Sequence, residues 1–137
     1  MKRRWAIGGD AGRGRAAMGE ALAWLDGVLE ERTCPPAVQS ALDIVFDEIL
    51  SNIVNYSGAS MFELDVSFPD KPAGVRLEFV DDGAPYDPLA HTDPDTTLSL
   101  EDRPIGGLGI FLVKKLMDSV SYARADGLNR LEVFKSS

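Results

Sequence analysis

The chain has 137 residues, with 14 Lys and Arg against 22 Asp and Glu, a net charge of −8, one histidine and one cysteine. That length suits one domain over residues 1–137 with its own hydrophobic core, and a lone thiol excludes an internal disulfide framework or a cysteine-rich zinc site. The acidic balance argues against a sequence-independent grip on nucleic acid or an anionic membrane, both of which rest on clustered Lys and Arg, so the expected partner is another protein or a small ligand.

The first residues, Met1-Lys2-Arg3-Arg4-Trp5, are charged, but no apolar h-region follows. No stretch reaches the roughly 18 apolar residues of a membrane helix, and the expectation is a soluble, cytoplasmic chain. Trp5 to Ile7 offers a short strand. Gly8-Gly9-Asp10-Ala11-Gly12-Arg13-Gly14-Arg15 is glycine-rich but fails as a phosphate loop, because Arg15 stands where that motif needs Lys followed by Ser or Thr. It is expected to be a flexible turn into a helix from about Gly14 to Glu31, where Ala17, Leu22, Leu25, Val28 and Leu29 recur at helical spacing. Cys34 then marks the entrance of a second helix, Pro36 to Tyr56, with Pro in its first turn and Ser57-Gly58 as its stop.

The period then changes to two. Phe62, Leu64, Val66 and Phe68 alternate with polar residues, as do Val75, Leu77 and Phe79, predicting two strands joined by Pro69 to Gly74, with one wet face. A polar loop from about Asp82 to Gly107 is too long for a simple connector. Leu108 to about Asp118 reads as a helix burying Ile110, Val113 and Met117, followed by a hairpin of Val120 to Arg124 and Leu131 to Phe134 around Ala125-Asp126-Gly127. Strands are not separated one by one by helices, so the class is α+β, a mostly antiparallel sheet with helices on one face.

On a helical wheel started at Leu42, the residues Val45, Phe46, Ile49, Ile53 and Tyr56 form the core stripe. Glu48, Asn52 and Asn55 share one border of it, while Asp43, Asp47 and Ser51 lie round the other side. A polar row so close to the core is partly desolvated, which marks Glu48 and Asn52 as a candidate site. Asp81-Asp82-Gly83-Ala84-Pro85 holds a carboxylate at a strand end beside a glycine that permits close approach to the backbone. Gly106-Gly107-Leu108-Gly109 opens a helix, where bare N–H groups at the positive end of the dipole suit phosphate. Together these supply what a magnesium nucleotide needs: an amide oxygen for Mg²⁺ at Asn52, an acceptor for an adenine amine at Asp81, backbone donors at Gly107 and Gly109, and a base at Glu48.

Phe46 to Tyr56, Val80 to Pro88 and Gly106 to Val113 resemble the N box and the two glycine boxes of the ATPase superfamily of gyrase, heat-shock chaperones, histidine kinases and mismatch-repair proteins. The Pro-Tyr-Asp-Pro continuation at 85–88, Met117-Asp118 and the Gly127-Leu128-Asn129-Arg130 turn most resemble the stand-alone anti-sigma-factor serine/threonine kinases. The resemblance spans about Arg4 to Lys135 and implies a Bergerat-type two-layer sandwich with a mixed, mostly antiparallel sheet. It places the hydroxyl-activating Glu on Glu48, the magnesium-binding Asn on Asn52 and the adenine-binding Asp on Asp81, with Gly83 as the backbone contact beside it. It further places phosphate contacts on Gly106, Gly107, Leu108 and Gly109, and an ATP lid on Tyr86 to Ile105, where Arg103 would reach the terminal phosphate. The N-box position often filled by His is Tyr56 here.

The implied activity is an ATP- and Mg²⁺-dependent protein serine/threonine kinase acting on a STAS-type anti-sigma-factor antagonist, with a sigma factor as a further partner and homodimerisation common in the family. The alternative is a nucleotide-gated binding module of the same fold with little or no transfer. The catalytic part of a histidine kinase is a third reading, but the one histidine, His91, lies in the lid, so its acceptor would be on another chain. The nucleotide unit takes up nearly the whole chain, so the substrate protein is expected to arrive in trans. An acidic protein binding an anionic nucleotide is expected to hold phosphates with Mg²⁺ and backbone N–H groups, and to suit a basic face on its partner.

Overall fold

A computed structural model describes residues 1–8, 11–90 and 107–137. The elements run β1 (Lys2–Ala6), α1 (Ala11–Glu31), α2 (Pro36–Tyr56), β2 (Met61–Ser67), β3 (Gly74–Asp81), a 3-10 turn (Pro88–Ala90), α3 (Gly107–Leu116), β4 (Ser119–Ala125) and β5 (Leu128–Ser136). The strands form a sheet in the order β1-β2-β3-β5-β4. The class is α+β as expected, and among the described residues every strand pairing is antiparallel, so the sheet is not mixed there.

The strand pattern sets the two faces. Phe62, Leu64 and Val66 of β2 and Val75, Leu77 and Phe79 of β3 are buried, while the intervening residues are polar and reach the other face. There Arg4 meets Glu63 at 3.1 Å and Arg130 meets Glu78 at 3.2 Å, cross-strand ion pairs that keep this face wet. The apolar face is covered by the helices, with Phe46, Leu42 and Leu50 of α2 fully or almost fully buried. Phe46 and Phe79 rings lie 6.5 Å apart, and Trp5 stacks on Phe62 at 5.3 Å and meets Trp24 of α1 edge-on at 5.8 Å. Burying each such side chain contributes about 1.5–3 kcal/mol, so α2 is the helix that fixes the layer. No helix among the described residues is long and apolar enough to cross a membrane.

Three local expectations need correction. The first strand is Lys2–Ala6 rather than Trp5 to Ile7, because β1 pairs along its whole length with Met61–Asp65 of β2. The glycine-rich segment is not a flexible turn over its described part. Helix α1 already includes Ala11 to Arg15, and a Cβ on Gly14 would come within 2.5 Å of Val54 Cγ1, so this glycine lets α1 lie close against α2. Tyr56 is not in the core stripe, since it sits on the last turn of α2 and is 77% exposed.

Candidate functional site

Helix α2 ends at a tight cap. Ser57 donates its N–H and its hydroxyl to the Ile53 carbonyl at 3.4 and 2.6 Å, and its own carbonyl accepts the Ala84 N–H at 2.9 Å. A Cβ on Gly83 would lie 2.6 Å from that Ser57 carbonyl oxygen. What approaches the Gly83 backbone is therefore the helix end itself, and the glycine is needed so that the chain after β3 can press against α2. Arg124 of β4 closes the other side, donating to the Gly83 carbonyl at 2.8 Å.

These contacts leave a cavity of about 380 Å³ between α2, the sheet and α3. Its walls are apolar, from Ile49, Ile53, Phe79, Ile110 and Leu131, and its polar groups include Asn52, Asp81 and Asn129. An apolar slot with a few converging polar groups is how small-molecule sites are built. Asp81, at the end of β3, is 4% exposed. Its Oδ1 accepts the Gly83 N–H at 2.9 Å and Asn129 Nδ2 at 3.1 Å, the two hydrogen bonds this carboxylate makes among the described residues. A planar base with an exocyclic amine fits such a slot, with Oδ2 as its acceptor.

Asp82, the next residue, points the other way. It accepts the N–H groups of Ser60 and Met61 at 2.7 and 3.1 Å and a short bond from the Ser60 hydroxyl. Burial pushes its carboxyl up, but these donors outweigh that and hold it below the usual range. It clamps the start of β2 and takes no part in the cavity.

Asn52 lines the cavity, and its side chain hydrogen-bonds Glu48, one turn earlier on α2. Glu48 itself does not line the cavity. It borders the neighbouring groove between α2 and α3, with Leu112 and Val113. Burial raises the Glu48 carboxyl, the Asn52 bond lowers it and the Asp47 charge raises it, with a net upward shift. A half-buried carboxylate with a raised pKa is suited to accept a proton near neutral pH.

Helix α3 is described from Gly107, one residue before the expected Leu108, and Ile110 of its first turns lines the cavity, so N–H groups at its positive end could serve a phosphate there. Gly107, Leu108 and Gly109 belong to that first turn, whereas Gly106, Arg103 and His91 lie outside the described residues. Among the described residues the cavity lining contains no Lys or Arg. Among the described residues no cluster of three or more His, Cys, Asp or Glu could cage a metal. The Asn52 amide is an oxygen donor lining the cavity, and it could serve an ion such as Mg²⁺ that takes one or two protein ligands and completes its shell with phosphates and water.

Sequence reasoning missed the part played by Asn129 and Tyr122. Asn129 is 6% exposed and donates to Asp81 and to the Ala84 carbonyl at 2.9 Å, while its Oδ1 accepts the Tyr122 hydroxyl at 2.5 Å and the Tyr86 N–H at 3.4 Å. The signal was present, since Asn129 stands on the same parity of β5 as buried Leu131 and Val133, a polar residue on a core face.

Residues 14–135 match the histidine kinase-like ATPase domain family, and the chain belongs to that family. It is 30% identical over 120 residues to the serine/threonine-protein kinase BtrW of Bordetella bronchiseptica, covering 86% of this chain and 84% of the relative. The resemblance read from the three sequence boxes is borne out at this level, and ATP binding is what the domain implies.

Proposed function

We propose that the protein is an ATP- and Mg²⁺-dependent serine/threonine kinase whose substrate is a STAS-type anti-sigma-factor antagonist, with a sigma factor as a further binding partner. The observation that carries this reading is the position of Glu48, a carboxylate with a raised pKa one helical turn from Asn52 and the nucleotide cavity. A receptor that only sensed nucleotide would have no use for a base there. Its relative is named a serine/threonine-protein kinase, which supports the same chemistry.

In this reading Asp81 accepts the adenine amine, and Ile53 and Leu131 are among the apolar groups against the base. The N–H groups at the start of α3 receive phosphate oxygens. Asn52 would hold Mg²⁺, which when bound neutralises charge on the β- and γ-phosphates. Glu48 takes the proton of the incoming Ser or Thr hydroxyl as its oxygen bonds to the γ-phosphorus and the bond from that phosphorus to the bridging oxygen breaks, releasing ADP. Because phosphoryl transfer is chiefly positioning and charge neutralisation, it does not require a lysine among the described cavity residues.

The test is transfer of labelled γ-phosphate to candidate STAS proteins by the parent chain and by Glu48→Gln. Label on Ser or Thr, lost in the variant while nucleotide still binds, supports the reading. Nucleotide and STAS protein bound by the parent without label would replace it by the gated binding module.

A further inference from the structure

The groove that Glu48 borders is distinct from the cavity lined by Asn52 and Asp81. It lies between α2 and α3, encloses about 410 Å³ and is lined by Asp43, Ile44, Asp47, Glu48, Leu112 and Val113. Two features set it apart. Ile44 and Leu112 are 50% and 45% exposed, although the other aliphatic residues of their helices are mostly buried. They make an apolar strip across a helix–helix groove. The second feature is charge. Asp43, Asp47 and Glu48 fall within two turns of α2, and none of them meets a cation in an ion pair among the described residues. Like charges one turn apart disfavour a helix, and no group of the groove offsets them. Lys115, near Leu112 on α3, lies over the Phe111 ring at 5.2 Å.

We propose that this groove seats the acceptor segment of the protein substrate, and that the segment carries an apolar side chain and a Lys or Arg close to the hydroxyl that is phosphorylated. The proposal rests on the kinase reading above, since it uses Glu48, which borders the groove one helical turn from Asn52 of the cavity. Ile44 lies one turn before Glu48, about 6 Å along the helix. An extended chain advances about 3.3 Å per residue, so a side chain on the apolar strip belongs to a residue about two positions from the Ser or Thr. A cation at a similar distance reaches Asp47. An acidic segment would be repelled from Asp47 and Glu48, and an entirely polar one would leave Ile44 and Leu112 in water.

The experiment uses three labelled synthetic peptide pools around a central Ser. One contains Leu and Arg at neighbouring positions, one has Glu in place of Arg, and one has Ser in place of Leu. Binding is followed by fluorescence anisotropy with Mg²⁺ and a non-hydrolysable ATP analogue present, for the parent, Asp47→Lys and Leu112→Asp. The Leu and Arg pool is expected to bind the parent about tenfold more tightly than either other pool. Asp47→Lys removes the preference for Arg over Glu and Leu112→Asp the preference for Leu. Calorimetry on both variants should give the parent's affinity for the ATP analogue, which shows that they are folded. Equal binding of the three pools, no binding of any pool, or parent-like discrimination by both variants overturns the proposal. So does a Leu112→Asp variant that changes the sedimentation of the chain but not its peptide binding, because the groove would then seat a second copy. Selective binding without phosphate transfer from ATP leaves the groove assigned and removes the kinase reading, so the two failures are distinct.

Discussion

Asn129 donates from Nδ2 to Asp81 Oδ1 at 3.1 Å, between two residues that are also register partners across β3 and β5. The carboxylate that would recognise a base is thus held by its own cross-strand neighbour, and that neighbour is held by the hydroxyl of Tyr122 on β4, which pairs with Leu131 two residues further along β5. Removing the phenol by Tyr122→Phe loosens Asn129 without touching the carboxylate. We expect ATP affinity to fall several-fold, about 1 kcal/mol for one hydrogen bond. Calorimetry checks it, and an unchanged affinity would show that Asn129 is rigid without Tyr122.

Asp81→Asn keeps the shape of the side chain and one acceptor oxygen for Gly83 and Asn129, but puts an amide donor where Oδ2 stood. Two donors would then face each other at an adenine amine. ATP affinity should drop by about 2–3 kcal/mol, the usual loss on leaving a buried partner unpaired, with thermal unfolding changed much less. Calorimetry and a melting curve on the same sample separate the two effects.

Glu48 predicts a pH profile. Transfer needs the ionised carboxylate, and its raised pKa moves the acid limb of kcat/KM above the ordinary glutamate value of 4.5. Because the charge of Asp47 contributes to the rise, Asp47→Asn should move that limb to lower pH. A limb that stays in place would remove Glu48 as the titrating base.

Gly83→Ala introduces a methyl group 2.6 Å from the Ser57 carbonyl oxygen and 2.7 Å from its Cβ, in backbone-anchored surroundings that cannot yield easily. We expect a loss of about 1–3 kcal/mol in urea unfolding, together with weaker nucleotide binding as the turn after β3 moves off α2.

A second pH effect belongs to the α1–α2 contact. Asp43 is pushed up to about 7 by burial and by the hydrogen bond and charge of Asp26, which also accepts from Gln39 at 3.2 Å. A carboxyl with a folded pKa above its unfolded one binds its proton more tightly when folded. This group therefore favours the fold below about pH 4, and that contribution fades as pH rises to about 7. Relative to the parent, Asp43→Asn should gain stability on going from pH 5 to pH 8, by about 1 kcal/mol after allowance for solvent screening of this half-exposed pair. Chemical unfolding at the two pH values reads it, and a constant difference would mean that the two carboxyls do not share a proton.

Much of this was legible in the chain. The limits of α2 follow from its proline start and Ser57-Gly58 stop, and helix border and strand end single out Asn52 and Asp81, both of which line the cavity. The failures have local causes. The wheel treats Tyr56 as a core residue because periodicity does not register that the last turn of α2 leaves this side chain exposed. Gly83 was read as room for a ligand, whereas a tertiary neighbour, Ser57, fills that room. Asn129 was read as part of a turn because hairpin chemistry at Asp126-Gly127 masked the inward parity of the strand that follows.

Asp81 and Asp82 are chemically identical neighbours with opposite tasks, one in the cavity and one fastening β2. Nothing in either side chain assigns those tasks; the pleat does. Inserting a single residue into β3 ahead of them would carry Val80 into the place of Asp81 opposite Asn129 and turn Asp81 to the face that Asp82 now occupies. In the proposed reading base recognition is thus a property of strand phase, and a frame of one residue in β3 is as decisive for it as the identity of the acid.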